Sequence, residues 1–101
     1  MDENLYPVLH SQVAMTQADS QAVIVLADSG RVTVLNELGT RIWQSCDGEH
    51  SVGQIVQIIV NEYEVDYPTA ERDVIEFLDQ MVEMQALMMQ GEPGIRKVDG
   101  S

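Results

Sequence analysis

Two groups of residues in this sequence have the types and spacing that chemistry needs. Cys46 and His50 stand four apart across Asp47-Gly48, a spacing that suggests a thiolate–imidazole pair or half of a metal site. Zinc takes four N/S ligands in structural sites and three in catalytic ones, and the only further soft ligand is His10, far away in sequence. Cys46 also follows Leu38 and Ile42 at intervals of four, which reads as a buried thiol on an apolar helix stripe. The second group is carboxylates: Asp73/Glu76 and Glu76/Asp79 sit at i, i+3 on one helix face. Without an enclosing pocket to raise a pKa they read as a solvated surface. No Ser/His/Asp set, phosphate-cradling glycine loop or cofactor motif appears, so the expectation is a non-enzyme with no cofactor and no metal.

Composition narrows the partners. Seventeen acids against five bases give a formal net charge of −12 in 101 residues. Nucleic-acid binding requires several Lys or Arg contacts to phosphate, and anionic membranes impose the same demand. Neither nucleic acid nor membrane is therefore expected as a partner. The chain is 45% apolar but only 5% aromatic, so aliphatic residues and methionines must fill one core. No apolar run approaches the roughly 18 residues of a membrane span, Met1-Asp2-Glu3 does not open a signal peptide, and Cys46 has no cysteine to pair with. A cytoplasmic protein is the expectation.

The elements that must position any site read in two blocks. Residues 1–7, with Pro7, read as a flexible arm, and Val8 to Met15 as an ill-defined first strand. Gln21–Ala27 (QAVIVLA) and Arg31–Leu35 (RVTVL) are β-rich runs around the Asp28-Ser29-Gly30 turn, predicting a hairpin. From Asn36 the period changes. Asn36 is placed to N-cap a short helix that Asp47-Gly48 ends, and Ser51-Val52-Gly53-Gln54 is a capping box. Behind it Val52, Ile55, Val56, Ile59, Val60 and Tyr63 form a full apolar stripe. Pro68 suits the first turn of a third helix carrying Ala70, Val74, Phe77, Leu78 and Met81 inward, with Met84, Met88 and Met89 undecided between core and surface. Gly91–Ser101 reads as a flexible tail, leaving residues 8–90 as one domain. The predicted class is α+β, a winged helix-turn-helix with an N-terminal three-stranded antiparallel sheet followed by three helices. Such folds often read DNA, but from Asn36 to Gln90 the only bases are Arg41 and Arg72, among carboxylates throughout.

One set of residues carries a resemblance. Val32-Thr33-Val34-Leu35-Asn36-Glu37-Leu38-Gly39-Thr40-Arg41-Ile42-Trp43, then Cys46-Asp47-Gly48, then Ser51-Val52-Gly53-Gln54-Ile55, resembles the pyrroloquinoline quinone synthesis protein D (PqqD) family. Asp73-Val74-Ile75-Glu76-Phe77-Leu78-Asp79-Gln80-Met81 is similar to that family's last helix, so the likeness covers about residues 12–88. It implies a precursor-peptide recognition element: a small winged-helix protein that binds the leader of a ribosomally made peptide and presents it to a modifying enzyme, often a radical S-adenosylmethionine enzyme, as in PQQ biosynthesis. It further implies that the leader adds to the sheet edge over Arg31, Val32, Thr33, Val34 and Leu35 and packs on the last helix at Asp73, Glu76, Phe77, Gln80 and Met81. Alternation puts Val32 and Val34 on one face of that strand and Thr33 and Leu35 on the other, without saying which is open. Arg31 suits an acidic leader residue, Asp73 or Glu76 a basic one, and the acidity of the helix disfavours a strongly acidic leader. Where the family commonly closes this helix with Gly-Leu, the chain has Met84-Gln85-Ala86-Leu87-Met88-Met89, so the helix is expected to run on or end less sharply. The other readings are a winged-helix regulator and a dimeric interaction module without a leader ligand; an open edge also allows a homodimer by strand pairing or swapping.

Overall fold

The computed structural model describes residues 1–18 and 21–94. Eight elements follow in order: β1 Tyr6–Leu9, β2 Val13–Ala18, β3 Gln21–Leu26, β4 Arg31–Val34, α1 Glu37–Gln44, α2 Val52–Tyr63, α3 Tyr67–Glu83 and β5 Leu87–Gln90. A three-stranded antiparallel sheet of order β2-β3-β4 precedes three helices, as expected. A second sheet, β1 with β5, was not expected.

The hairpin forms where β-branched residues flank the turn, and Gly30 takes φ +72°, a conformation that a Cβ resists. Ala22, Ile24 and Leu26 point inward and are buried, while Val23 and Val25 lie half-buried on the opposite face. α1 and α2 begin where their caps are written. Asn36 Oδ1 accepts from the Gly39 amide at 2.8 Å. At α2, Ser51 Oγ accepts from the Gln54 amide at 3.2 Å while Gln54 Oε1 accepts from the Ser51 amide at 2.8 Å. The core joins Ile24 and Leu26 of the sheet to Ile42, Trp43, Val52, Ile55, Ile59, Val74 and Leu78 of the helices. Cys46 is buried in it and donates from Sγ to the Ile42 carbonyl at 3.3 Å; desolvation is the main cause that pushes its thiol far up.

One polar joint ties the sheet to the helices. The Leu35 amide donates to the Ala22 carbonyl at 2.9 Å. The Ala22 amide would ordinarily return that bond, but donates instead at 2.8 Å to Oγ1 of Thr40, a buried residue of α1.

Two sequence expectations are corrected. The first concerns the strand placed at Val8–Met15, which is broken by a turn: the Val13 amide donates to the His10 carbonyl and the His10 amide to the Ala86 carbonyl. The chain before the turn forms β1, whose start at Tyr6 lies within the arm assigned to residues 1–7. Pro7 is buried there opposite Met89. Further upstream, the Glu3 and Leu5 carbonyls accept from the Gly53 and Val52 amides at the start of α2. The second concerns the end of α3, which does not run on. The Ala86 amide donates to the Met81 carbonyl and the Gln85 amide to the Val82 carbonyl, with Gln85 left-handed at φ 63°. That is a Schellman stop with glutamine at the position where glycine is usual. Residues Ile95 to Ser101 of the expected tail lie outside the described residues.

Two stability predictions follow from these joints. Thr40→Val keeps the shape but leaves the buried Ala22 amide unpaired, and is expected to cost about 1–3 kcal/mol in chemical denaturation. Gln85→Gly relieves the left-handed conformation and is expected to stabilise by about 0.5–1 kcal/mol, read as a rise of several degrees in the thermal midpoint.

Candidate functional site

Among the described residues β4 is an edge strand, hydrogen-bonded only to β3. Its register pairs Val23 with Val34, Ile24 with Thr33, Val25 with Val32 and Leu26 with Arg31. Narrow pairs alternate along an antiparallel ladder. Because Leu35 bonds Ala22, the bonded pairs are those of Thr33 and Arg31. The backbone N–H and C=O groups of Val32 and Val34 therefore face the open edge.

Side chains alternate in the other direction. Val32 and Val34 stand on the outer face of the sheet, 62% and 59% exposed. Thr33 points inward, towards α3. The face lining a groove beside the strand is thus the one bearing Thr33, which the sequence left undecided.

α3 runs antiparallel to the segment from β4 into α1, and two clefts lie between them. The first, about 310 Å³, has Leu38, Gly39 and Ile42 of α1 on one side and Asp73, Glu76, Phe77 and Gln80 of α3 on the other, with Asn36 at its corner. The second, about 280 Å³, has Arg31 and Thr33 of β4 facing Gln80, Met81, Glu83 and Met84. Gln80 borders both, so the two clefts adjoin along one side of α3 and together make the groove.

Gly39 sets how closely the first cleft is drawn. A Cβ at that position would lie 3.1 Å from Asn36 Oδ1 and 3.2 Å from Phe77 Cε1. Both are tight contacts, so the absence of a side chain lets the Phe77 ring rest against the start of α1.

The ten residues expected at the site are thereby sorted. Arg31, Thr33, Asp73, Glu76, Phe77, Gln80 and Met81 line the groove. Val32 and Val34 supply open backbone groups and an outer apolar face instead. Leu35, just past the end of β4, is 6% exposed and belongs to the core. Sequence reading missed Asn36, Leu38, Gly39, Ile42 and Glu83 as lining residues and left Met84 open. Helical spacing alone gave no reason to prefer the α1 residues, since their wall exists only once α1 packs on α3.

The Cys46/His50 pair does not converge. His50 Nδ1 is turned to the Asp47 carboxylate at 3.0 and 3.1 Å, whereas the Cys46 thiol points into the core. Among the described residues no three His, Cys, Asp or Glu side chains gather to hold a metal ion, and no helix is long and apolar enough to cross a membrane.

Comparison with known proteins agrees with this fold. The family model described as Coenzyme PQQ synthesis protein D (PqqD) matches residues 21–86. The chain is 30% identical over 83 residues to a PqqA binding protein from Xanthomonas axonopodis pv. citri (strain 306), covering 82% of this chain and 90% of that protein. Among solved structures it is similar to TbiB1 in complex with the TbiA(beta) leader peptide, with TM-score 0.76, 28% identity and coverage of 89% and 99% of the two chains. It is also similar to lasso peptide synthetase B1 complexed with the leader peptide, with TM-score 0.75, 26% identity and coverage of 82% and 98%. With the family model spanning β3, β4 and all three helices, this chain belongs to the PqqD family.

Proposed function

We propose that this protein binds the leader segment of a ribosomally made precursor peptide as a fourth strand on β4 and presents it to a modifying enzyme, without itself catalysing a reaction. The observation that carries this reading is the open edge at Val32 and Val34 running beside a groove on α3. Main-chain bonds to an edge supply affinity with little demand on sequence, and pockets beside it supply selection through alternate side chains. The relatives support the reading: one is a PqqA binding protein, and two solved structures hold leader peptides.

The ligand residues in this reading are those of the groove, Arg31, Thr33, Asp73, Glu76, Phe77, Gln80 and Met81, with the Val32 and Val34 backbone. The enzyme partner is a peptide-modifying enzyme, of the radical S-adenosylmethionine class in the PQQ-type pathway. The protein works in the cytoplasm, where such precursors are made. Self-pairing through β4 competes for the same edge and would appear as a dimer that peptide dissociates.

The test is a titration with synthetic peptides spanning the leaders of short precursor genes beside the protein's own gene, followed by backbone amide NMR and by mass at several concentrations. Micromolar binding with shifts along Arg31–Val34 and Asp73–Met84 is the expected result. A stable dimer through β4 that no peptide displaces would overturn the proposal.

The strand-addition step has its own test. Val32→Pro removes one outward amide donor without touching the groove, and proline is tolerated on an edge strand. Peptide affinity is expected to fall about tenfold, equivalent to about 1.4 kcal/mol, while Val32→Thr binds as the parent does. Equal binding by the two variants would exclude backbone pairing at this position.

A further inference from the structure

The two ends of the groove differ in charge. The end beside β4 carries Arg31 and Glu83, one charge of each sign. The end between α1 and α3 carries Asp73 and Glu76, with no base among its lining residues. Beneath these carboxylates lie the side chains of Leu38, Ile42 and Phe77. The cleft thus has an apolar floor, an aromatic ring on one wall and two carboxylates at its rim, joined by the Gln80 amide. We infer that this cleft selects leaders carrying an arginine or lysine at the residue that projects into it.

The inference rests on the leader-binding reading and adds to it the chemistry of one leader position. A long cationic side chain satisfies both parts of the cleft: its methylenes lie on Leu38 and Phe77 while its charge stays at the wet rim. A guanidinium gains more than an ammonium here, because it stacks on an aromatic face and forks to carboxylates. Asp73 is already near a base, with Arg72 Nε 3.6 Å from Oδ1, but Arg72 is 68% exposed on its side chain and holds this carboxylate weakly. Glu76 forms no ion pair among the described residues. The start of α1 also borders the cleft and would by itself favour an anion. Its Gly39 amide is taken by Asn36, and Glu37 offsets the dipole in the first turn. A leader glutamate in this position would therefore meet two carboxylates with no cation among the residues that line the cleft.

The probe is a positional-scanning library of twelve-residue peptides with blocked ends, in which one position at a time is fixed as Arg, Lys, Gln or Glu and the others are mixed. Competition binding is measured against the full-length protein and against Asp73→Asn/Glu76→Gln, a surface pair whose amides keep the shape of the cleft. The pools fixed as Arg or Lys at one position are expected to bind the parent about five- to tenfold more tightly than the Glu pool, with Arg ahead of Lys. The preference is expected to shrink with added salt and to vanish in the double variant. Equal binding of Arg and Glu pools at every position, or a preference that survives in the double variant, overturns the inference while leaving peptide binding intact. Failure of every pool to bind would remove the leader-binding reading and this inference with it.

Discussion

The hydroxyl of Thr40 stands where the sheet hands over to the helices, and the site depends on that joint. By accepting the Ala22 amide it ends the β3–β4 ladder and holds α1 against the strand that has just left it. The position of α1 then decides how Gly39 meets Phe77, and so how α3 lies along β4. A single buried hydrogen bond of this kind contributes only modestly in net terms, but leaving its donor unpaired in the core costs much more. The groove is therefore a product of the packing between elements.

An open edge strand is a hazard for any protein, because it offers a template to other copies of itself. Here the edge is short, with four residues in β4, and the molecule around it carries a net charge of −12. Mutual repulsion at low and moderate salt works against self-pairing. It works much less against a peptide that brings a compensating positive charge, so one property protects the edge and biases its choice of ligand.

Most of the architecture was legible because its signals are local. The hairpin has β-branched runs around a glycine turn, and two helices carry side-chain caps that the structure uses as read. The parts that were not legible depend on contacts distant in sequence. β1 pairs Tyr6 with Gln90, and nothing near Pro7 announces a partner more than eighty residues away. The end of α3 was hidden for a different reason: Gln85 occupies a left-handed position that glycine would have marked, and the methionines beyond it continue a helical stripe. At the site, alternation separated Val32 and Val34 from Thr33, but choosing the groove face required knowing where α3 lies. Leu35 shares the inward face with Thr33 by the same alternation, and lies in the core because it comes where the chain passes from β4 into α1.

The pairing of β1 with β5 has a consequence for how this domain can be joined to others. Strand partners lie about 5 Å apart, so Tyr6 and Gln90 stand side by side. Beyond them both chain segments are tied to the connection between α1 and α2 or the start of α2: Glu3 and Leu5 accept from Gly53 and Val52, and Gly94 donates to the Gly48 carbonyl. A covalent tether attached before Glu3 and one attached after Gly94 therefore start on the same side of the molecule. The local concentration that a linker creates depends on its length and the span it must cover. That span is nearly the same from either end, so fusion order matters little to reach, and linker length becomes the variable that sets how often a bound peptide meets a fused enzyme.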